Sequence, residues 1–248
     1  MPLRPLQWYR QLADGKGRRA SGAFLVEGER AVSQIRQTSP DAIMEIIAVE
    51  GRGHDYAGYP LRELSERQFR GISTVRTPQG IMAVVRIPPD TYQARLPENP
   101  GDKILLMEDV QDPGNVGTLI RTAAAFGYSG AIMTEKCADP FSPKCAQATA
   151  GTVLSIWLRR SARYPDMAHG LQESGYLLVA TDLGGSEDIS VLEEKKLVLA
   201  LGNEASGLSP EILGMADRRL RIATTGNRVE SLNVAACGAI CMYLSCRG

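Results

Sequence analysis

The sequence predicts an α/β protein in two parts, a small α/β unit followed by a larger domain built on a parallel sheet. Three observations carry this. From about residue 104 onward, apolar strands alternate with helical segments. Two of those strands, ILLMEDV (104–110) and LVLALG (197–202), are dominated by aliphatic residues with no polar alternation, as strands covered on both faces require. The stretch IPPDTYQARLPENPGD (87–102) places four prolines where the composition changes, and reads as a linker. The expected boundaries are 1–92 for the first domain, 93–102 for the linker and 103–248 for the second domain.

In chain order, Phe24–Val26 reads as a short strand, 29–37 as a helix, Ile43–Val49 as a strand, Leu64–Arg70 as helical and Ile81–Ile87 as a strand. After the linker, the strand at 104–110 leads to a helix over Val116–Phe126, then a strand over Gly130–Thr134 and a short helix over Pro143–Thr149. A strand is expected at Val153–Leu158, a helix at Pro165–Ser174 and a strand at Tyr176–Ala180. The apolar run at 197–202 precedes a short helix at Pro210–Met215, and Leu220–Ile222 reads as the last strand. The chain then closes with ESLNVAACGAICMYL (230–244), in which Ser231 reads as the N-cap of a helix with little polar surface. A helix this apolar must be buried against something.

Bulk properties narrow the class. The chain has 248 residues, 44% of them hydrophobic, and no apolar run approaching the ~20 residues that span a bilayer. Its N-terminus lacks the apolar core of a signal peptide, so a cytoplasmic protein with no membrane segment is expected. Five cysteines without a CxxC pair, and only two histidines, favour buried thiols over a metal site. The formal net charge is zero, but residues 1–98 carry +3 and residues 99–248 carry −3. Most of the positive excess lies in the first 36 residues. That suits a nucleic-acid partner, and equally a solvated surface.

The chemistry-bearing residues fall in loops at strand ends, where parallel α/β sheets bind ligands. In VQDPGNVGTLIRTAAAFG (110–127), Asp112, Pro113, Gly114, Asn115 and Gly117 form a tight turn into a helix that carries Arg121. It lacks both GxGxxG and a Lys-Ser/Thr ending, so Rossmann and P-loop readings are weak. Taken alone, it is also what a plain strand–turn–helix junction looks like. In LALGNEASGLSPEI (199–212), Glu204 directly follows a fully apolar strand, an unusual place for a merely solvating carboxylate. The third loop, 226–230, feeds polar groups to the N-terminus of the last helix, where backbone N–H groups point outward unpaired.

With these three stretches in order, the chain closely resembles the SpoU/TrmH family of RNA ribose 2′-O-methyltransferases, in the SPOUT superfamily. DPGNVGTLIRTAAAFG, LALGNEASGLS and ESLNVA match that family's three motifs, and the resemblance runs from about Ile104 to the end. FLVEGERAV (24–32) resembles the start of the small ribosomal-protein-like RNA-binding domain that many members carry.

The resemblance implies a C-terminal parallel-sheet domain with a deep trefoil knot, S-adenosylmethionine as methyl donor, and a homodimer with the last helix as interface candidate. It implies an RNA substrate, ribosomal RNA before transfer RNA. Asn115, Arg121, Glu204, Ser231 and Asn233 occupy the family's functional positions, and Gly202, Ile222 and Leu232, with Thr181, Asn203 and Glu204 close by, would line the cofactor pocket. An arginine stays protonated, so Arg121 is expected to act as an electrostatic clamp on phosphate or on the developing alkoxide, in place of a base. The third motif departs from the pattern: RIATTGNRVES is one residue longer ahead of Ser-Leu-Asn. A non-catalytic RNA-binding protein that kept the fold is the rival from another class, and an enzyme using 115–117 as a phosphate loop is a second.

Overall fold

The computed structural model describes residues 4–225 and 231–246. The chain divides into two compact units, Met1–Pro89 with Asp139–Ser155, and Asp90–Ala138 with Ile156–Gly248.

In the first unit, helices α1 (Leu6–Gln11) and α2 (Gly15–Ser21) precede β1 (Ala23–Glu27), α3 (Glu29–Thr38), β2 (Ile43–Val49), β3 (Leu61–Leu64), α4 (Glu66–Arg70) and β4 (Ile81–Arg86). The sheet order is β1-β4-β2-β3. β4 runs antiparallel to both β1 and β2, and β3 runs parallel to β2. Side chains alternate between the two faces of a strand. One face of the sheet, with Ala23, Leu25, Ile47, Met82 and Val84, packs with Tyr9, Leu12 and Phe69. On the other face, Phe24 meets the ring of Phe141 at 4.8 Å. Burial on both faces explains why β1 and β4 read as continuous apolar runs.

Two features of this unit differ from the sequence expectation. The basic N-terminal stretch is helical, and Arg18 in it is buried. Its Nε donates to Asp139 Oδ2 at 3.0 Å and its Nη1 to the carbonyls of Leu12 and Ala13. Removing either charged partner would leave the other charge buried, at a cost of about 3–5 kcal/mol. The short β3 is not among the expected elements, and its last residue, Leu64, belongs to the strand and not to the helix that follows.

The second unit holds β5 (Lys103–Met107), α5 (Pro113–Ala125), β6 (Gly130–Met133), β7 (Trp157–Arg160), α7 (Tyr164–Glu173), β8 (Leu177–Ser186), β9 (Leu197–Leu201), α8 (Pro210–Met215), β10 (Arg218–Leu220) and α9 (Val234–Ser245). The helix α6 (Pro143–Ala148) lies in the first unit. The six strands are all parallel in the order β10-β8-β9-β5-β6-β7. The central β9 is buried along its whole length. On one face of the sheet, Ile104, Leu106, Val198 and Ala200 pack with Met167, Leu171 and Ile212 from α7 and α8. On the other, Gly238 of α9 sits so close to Leu119 of α5 and Leu201 that an added Cβ would lie 2.4 and 2.7 Å from them.

Three strand expectations shift. Val153–Leu158 is not one strand: Thr152–Leu154 forms a 3-10 turn after Gly151, whose φ is +90°, and the strand begins only at Trp157, opposite Gly130. The strand expected at Tyr176–Ala180 runs on to Ser186 after leaving β9, because Leu220 pairs with Ser186. The last strand lies at Arg218–Leu220, where Arg218 and Arg219 pair with Val179 and Ala180. The proline-rich stretch is tied down: Arg159 donates to the carbonyl of Arg95 at 2.7 Å, and Trp157 Nε1 to that of Pro100 at 2.9 Å.

Candidate active site

β5 and β9 lie side by side at the centre of the sheet, with Met107 opposite Leu201. The strand succession changes direction there, so the crevice beyond their carboxyl ends is where a parallel α/β sheet binds ligands. Both loops leaving these strands are held by their own side chains.

In the first, Asp112 caps α5, its Oδ1 accepting from the N–H groups of Gly114 (2.7 Å) and Asn115 (3.0 Å). Pro113 at the first helical position has no N–H to satisfy. Together they fix Asn115 in the first turn. In the second, an added Cβ on Gly202 would lie 2.2 Å from the Gly207 carbonyl carbon, so only glycine lets this loop fold back on itself. Asn203 and Gly207 exchange backbone hydrogen bonds at 3.0 and 2.9 Å. Asn203 Oδ1 accepts from the N–H groups of Ala205 (2.9 Å) and Ser206 (3.1 Å). Glu204 projects from this turn toward the first loop.

The side chains of three loops then join in a line. Asn233 Nδ2 donates to Asn115 Oδ1 at 3.1 Å, and Asn115 Nδ2 donates to Glu204 Oε1 at 2.9 Å. The direction of this line is set at both ends. An ionised carboxylate only accepts, so Asn115 turns its amide nitrogen to Glu204 and its oxygen to Asn233. Asn233 turns its own oxygen to the start of α9, where it accepts from the N–H groups of Ala235 (2.9 Å) and Ala236 (3.2 Å).

Asn233, and not Ser231, is therefore the N-cap of the last helix. Asn233 has an extended backbone and the helix begins at Val234, so Ser231 lies exposed and outside it. The polar stretch 226–230 ahead of it falls outside the described residues.

The remaining candidates are placed as follows. Arg121 is exposed on α5, and its side chain has no hydrogen-bond or ion-pair partner among the described residues. Six residues beyond Asn115, it sits roughly 9 Å along the helix and about a third of a turn around it, and it does not join the Asn115–Glu204–Asn233 line. The Ser231 side chain likewise makes no hydrogen bond to that line among the described residues. Thr181, half-buried at the point where β8 leaves β9, donates its hydroxyl to the Ala200 carbonyl at 3.0 Å. Ile222 and Leu232 are half-buried, and their backbone groups have no hydrogen-bond partner among the described residues. No group of three or more His, Cys, Asp or Glu among the described residues is placed to hold a metal ion.

Two residues that the sequence reading passed over help to join the loops. Glu108 is buried; its Oε2 accepts from the Ser209 N–H at 2.7 Å, and its Oε1 accepts from the Tyr164 hydroxyl. Burial, reinforced by this bond to the Glu108 carboxylate, pushes the Tyr164 hydroxyl well above the ordinary phenol range, so it remains a donor. Asp109 accepts at its carbonyl from Asn203 Nδ2 at 2.8 Å. The available signal was two consecutive acidic residues directly after an apolar strand.

A six-stranded parallel α/β unit with polar loops converging at the point where strand order reverses is an enzyme-like ligand-binding architecture. The chain belongs to the SpoU rRNA methylase family, whose profile matches residues 102–243. An MRM3-like substrate-binding domain matches residues 6–83. The 23S rRNA (guanosine(2553)-2′-O)-methyltransferase RlmP of Bacillus subtilis is 30% identical over 239 residues, 95% of this chain and 93% of that one. Among solved structures, a protein described as an RNA methyltransferase of the TrmH family from Porphyromonas gingivalis superposes with a TM-score of 0.84 at 30% identity, covering 99% of this chain and 98% of the other. An AdoMet-bound rRNA methyltransferase from Sinorhizobium meliloti gives a TM-score of 0.84 at 29% identity, covering 98% and 94%.

Proposed function

We propose that this protein transfers a methyl group from S-adenosylmethionine to a ribose 2′-hydroxyl of structured RNA, ribosomal RNA before transfer RNA. The observation that carries the reading is the oriented line Asn233–Asn115–Glu204 across three loops, with an exposed Arg121 on the helix that begins at Asn115's turn. The relative from Bacillus subtilis is named for 2′-O-methylation of 23S rRNA.

The cofactor, when bound, supplies the electrophilic methyl. We assign its binding to the backbone of Gly202, Ile222 and Leu232, with Thr181, Asn203 and Glu204 beside it. The protein's task is then to align the acceptor and stabilise charge. Asn115 and Asn233 each spend one amide N–H on the line and keep a second to orient the ribose. Glu204 holds the first two loops in register. Arg121 offers a fixed positive charge to a flanking phosphate or to the 2′-oxygen as it gives up its proton to water. Ser231, exposed beside Asn233, contacts the ribose side. A 2′-hydroxyl acceptor selects RNA over DNA.

We assign residues 1–92 to substrate binding, 93–102 to a linker and 103–248 to catalysis. In support, the first unit carries a hollow of about 510 Å³ lined by the polar side chains of Glu29, Arg30, Ser33, Gln34, Gln37 and Gln79. We further propose a cytoplasmic homodimer joined through the outer face of α9. There Ile240 and Tyr243, 39% and 45% exposed, lie three residues apart and so share one face of the helix. No helix among the described residues is long and apolar enough to cross a membrane. The family's trefoil knot is part of the same reading. β10 lies at the sheet edge while α9 packs beside α5.

The test is incubation with methyl-tritiated S-adenosylmethionine and unmodified total bacterial RNA, followed by alkaline hydrolysis. Label in alkali-resistant dinucleotides is expected. Cofactor binding without label in RNA would overturn catalysis and leave an RNA-binding protein.

A further inference from the structure

Asp109 has a φ of +54°, a left-handed backbone that non-glycine residues adopt uncommonly and keep only where their surroundings enforce it. The surroundings here do so. Its N–H donates to Thr134 Oγ1 at 3.0 Å, and the same hydroxyl donates back to Asp109 Oδ1 at 2.6 Å. Lys136 Nζ lies 3.2 Å from Oδ2, but that side chain is 76% exposed. So exposed an ion pair contributes little, which leaves Thr134 as the main clamp.

The consequence of this conformation is where the carbonyl points. It faces Asn203, whose Nδ2 donates to it at 2.8 Å. With its nitrogen held there, Asn203 must turn its Oδ1 toward Ala205 and Ser206, and so closes the turn that carries Glu204. An extended backbone at 109 would aim the carbonyl elsewhere and release the amide of Asn203.

We infer that Asp109 is a positioning residue for methyl transfer: its left-handed backbone, clamped by Thr134, sets Asn203 and through it the loop that presents Glu204. The inference rests on the methyltransferase reading for its kinetic consequence and on geometry alone for its structural one.

Three substitutions separate backbone shape from side-chain chemistry. Asp109→Asn keeps both the tolerance for positive φ and an acceptor for Thr134. Asp109→Gly keeps only the tolerance. Asp109→Val rejects the conformation. The readouts are KM for S-adenosylmethionine, kcat, and amide exchange at Ala205 and Ser206 in the full-length protein. Asp109→Asn is expected within about twofold of wild type on every readout, and Asp109→Gly between the other two. Asp109→Val should raise KM for S-adenosylmethionine by about tenfold or more, with a smaller change in kcat and about tenfold faster exchange at both amides. Thr134→Val, which removes the clamp and leaves Asp109 in place, should shift KM and exchange in the same direction, and it carries the test if the Asp109→Val protein does not fold. Wild-type KM and exchange in both valine variants would overturn the inference, as would Asp109→Gly or Asp109→Asn falling as far as Asp109→Val. If the wild type neither binds S-adenosylmethionine nor methylates RNA, the methyltransferase reading fails. The exchange rates of the variants then still decide whether Asp109 sets the loop.

Discussion

The loops after β5 and β9 and the segments at Ile222 and Leu232, which we assign to one site, are built differently. The first two are stitched to each other before any ligand arrives: Glu108 to Ser209, Asp109 to Asn203, and Asn115 to Glu204. Ile222 and Leu232 instead keep backbone groups without partners among the described residues. Buried or half-buried backbone groups are nearly always paired in a finished structure. We propose a division of labour in which the first two loops are preorganised, the first to align the ribose and the second to meet both ribose and cofactor, while the segments at Ile222 and Leu232 are completed by the cofactor.

The comparison can be broken at several points. The largest effect is expected from Arg121→Ala, which should lower kcat for RNA methylation by about 10²–10³-fold, in the range of losing one electrostatic stabiliser. Its affinity for S-adenosylmethionine, measured by titration calorimetry, should stay within about twofold. A large loss of cofactor binding would move Arg121 from the ribose side to the cofactor side. Gly202→Ala attacks the preorganised half directly, since its Cβ would meet the Gly207 backbone. A loss of about 1–3 kcal/mol in urea unfolding is expected, with weakened cofactor binding. An unchanged denaturation midpoint would show that this loop is not held as described.

A smaller pair of changes sharpens the boundary between the halves. Asn233→Ala removes a helix cap and one link of the polar line, and should cost about 1 kcal/mol of stability as well as activity. Ser231→Ala should reduce methyl transfer while leaving stability within about 0.5 kcal/mol of wild type. Equal destabilisation by both would return the cap to Ser231. For the dimer, Tyr243→Glu places a charge on the outer face of α9 and should shift sedimentation toward a monomer; an unchanged profile would place the interface elsewhere.

Much of this molecule was legible in the sequence, for physical reasons that differ by region. The central strands announced themselves because aliphatic runs such as Leu197–Leu201 have no solvated alternative in a parallel sheet. Asn115 and Glu204 stood out as polar residues in glycine-bearing loops at strand ends. The cap of α9 did not, because Ser231 and Asn233 are both good caps by type. The choice is made by Asn115, whose oxygen needs the Asn233 amide nitrogen. Arg18 read as part of an exposed basic arm because its carboxylate partner, Asp139, lies 121 residues away. Val153 and Leu154 looked like the start of a strand, yet the left-handed turn at Gly151 starts a 3-10 turn over Thr152–Leu154 instead. Local pattern fixes the elements; long-range pairing decides caps, buried charges and where a strand begins.

The division of labour is tested most directly by residue-resolved amide hydrogen exchange with and without saturating S-adenosylmethionine. Exchange at Ile222 and Leu232 should slow by about tenfold or more when the cofactor is added, while Ala205 and Ser206, already bonded to Asn203, should change little. Equal slowing across both loops, or none at Ile222 and Leu232, would contradict it.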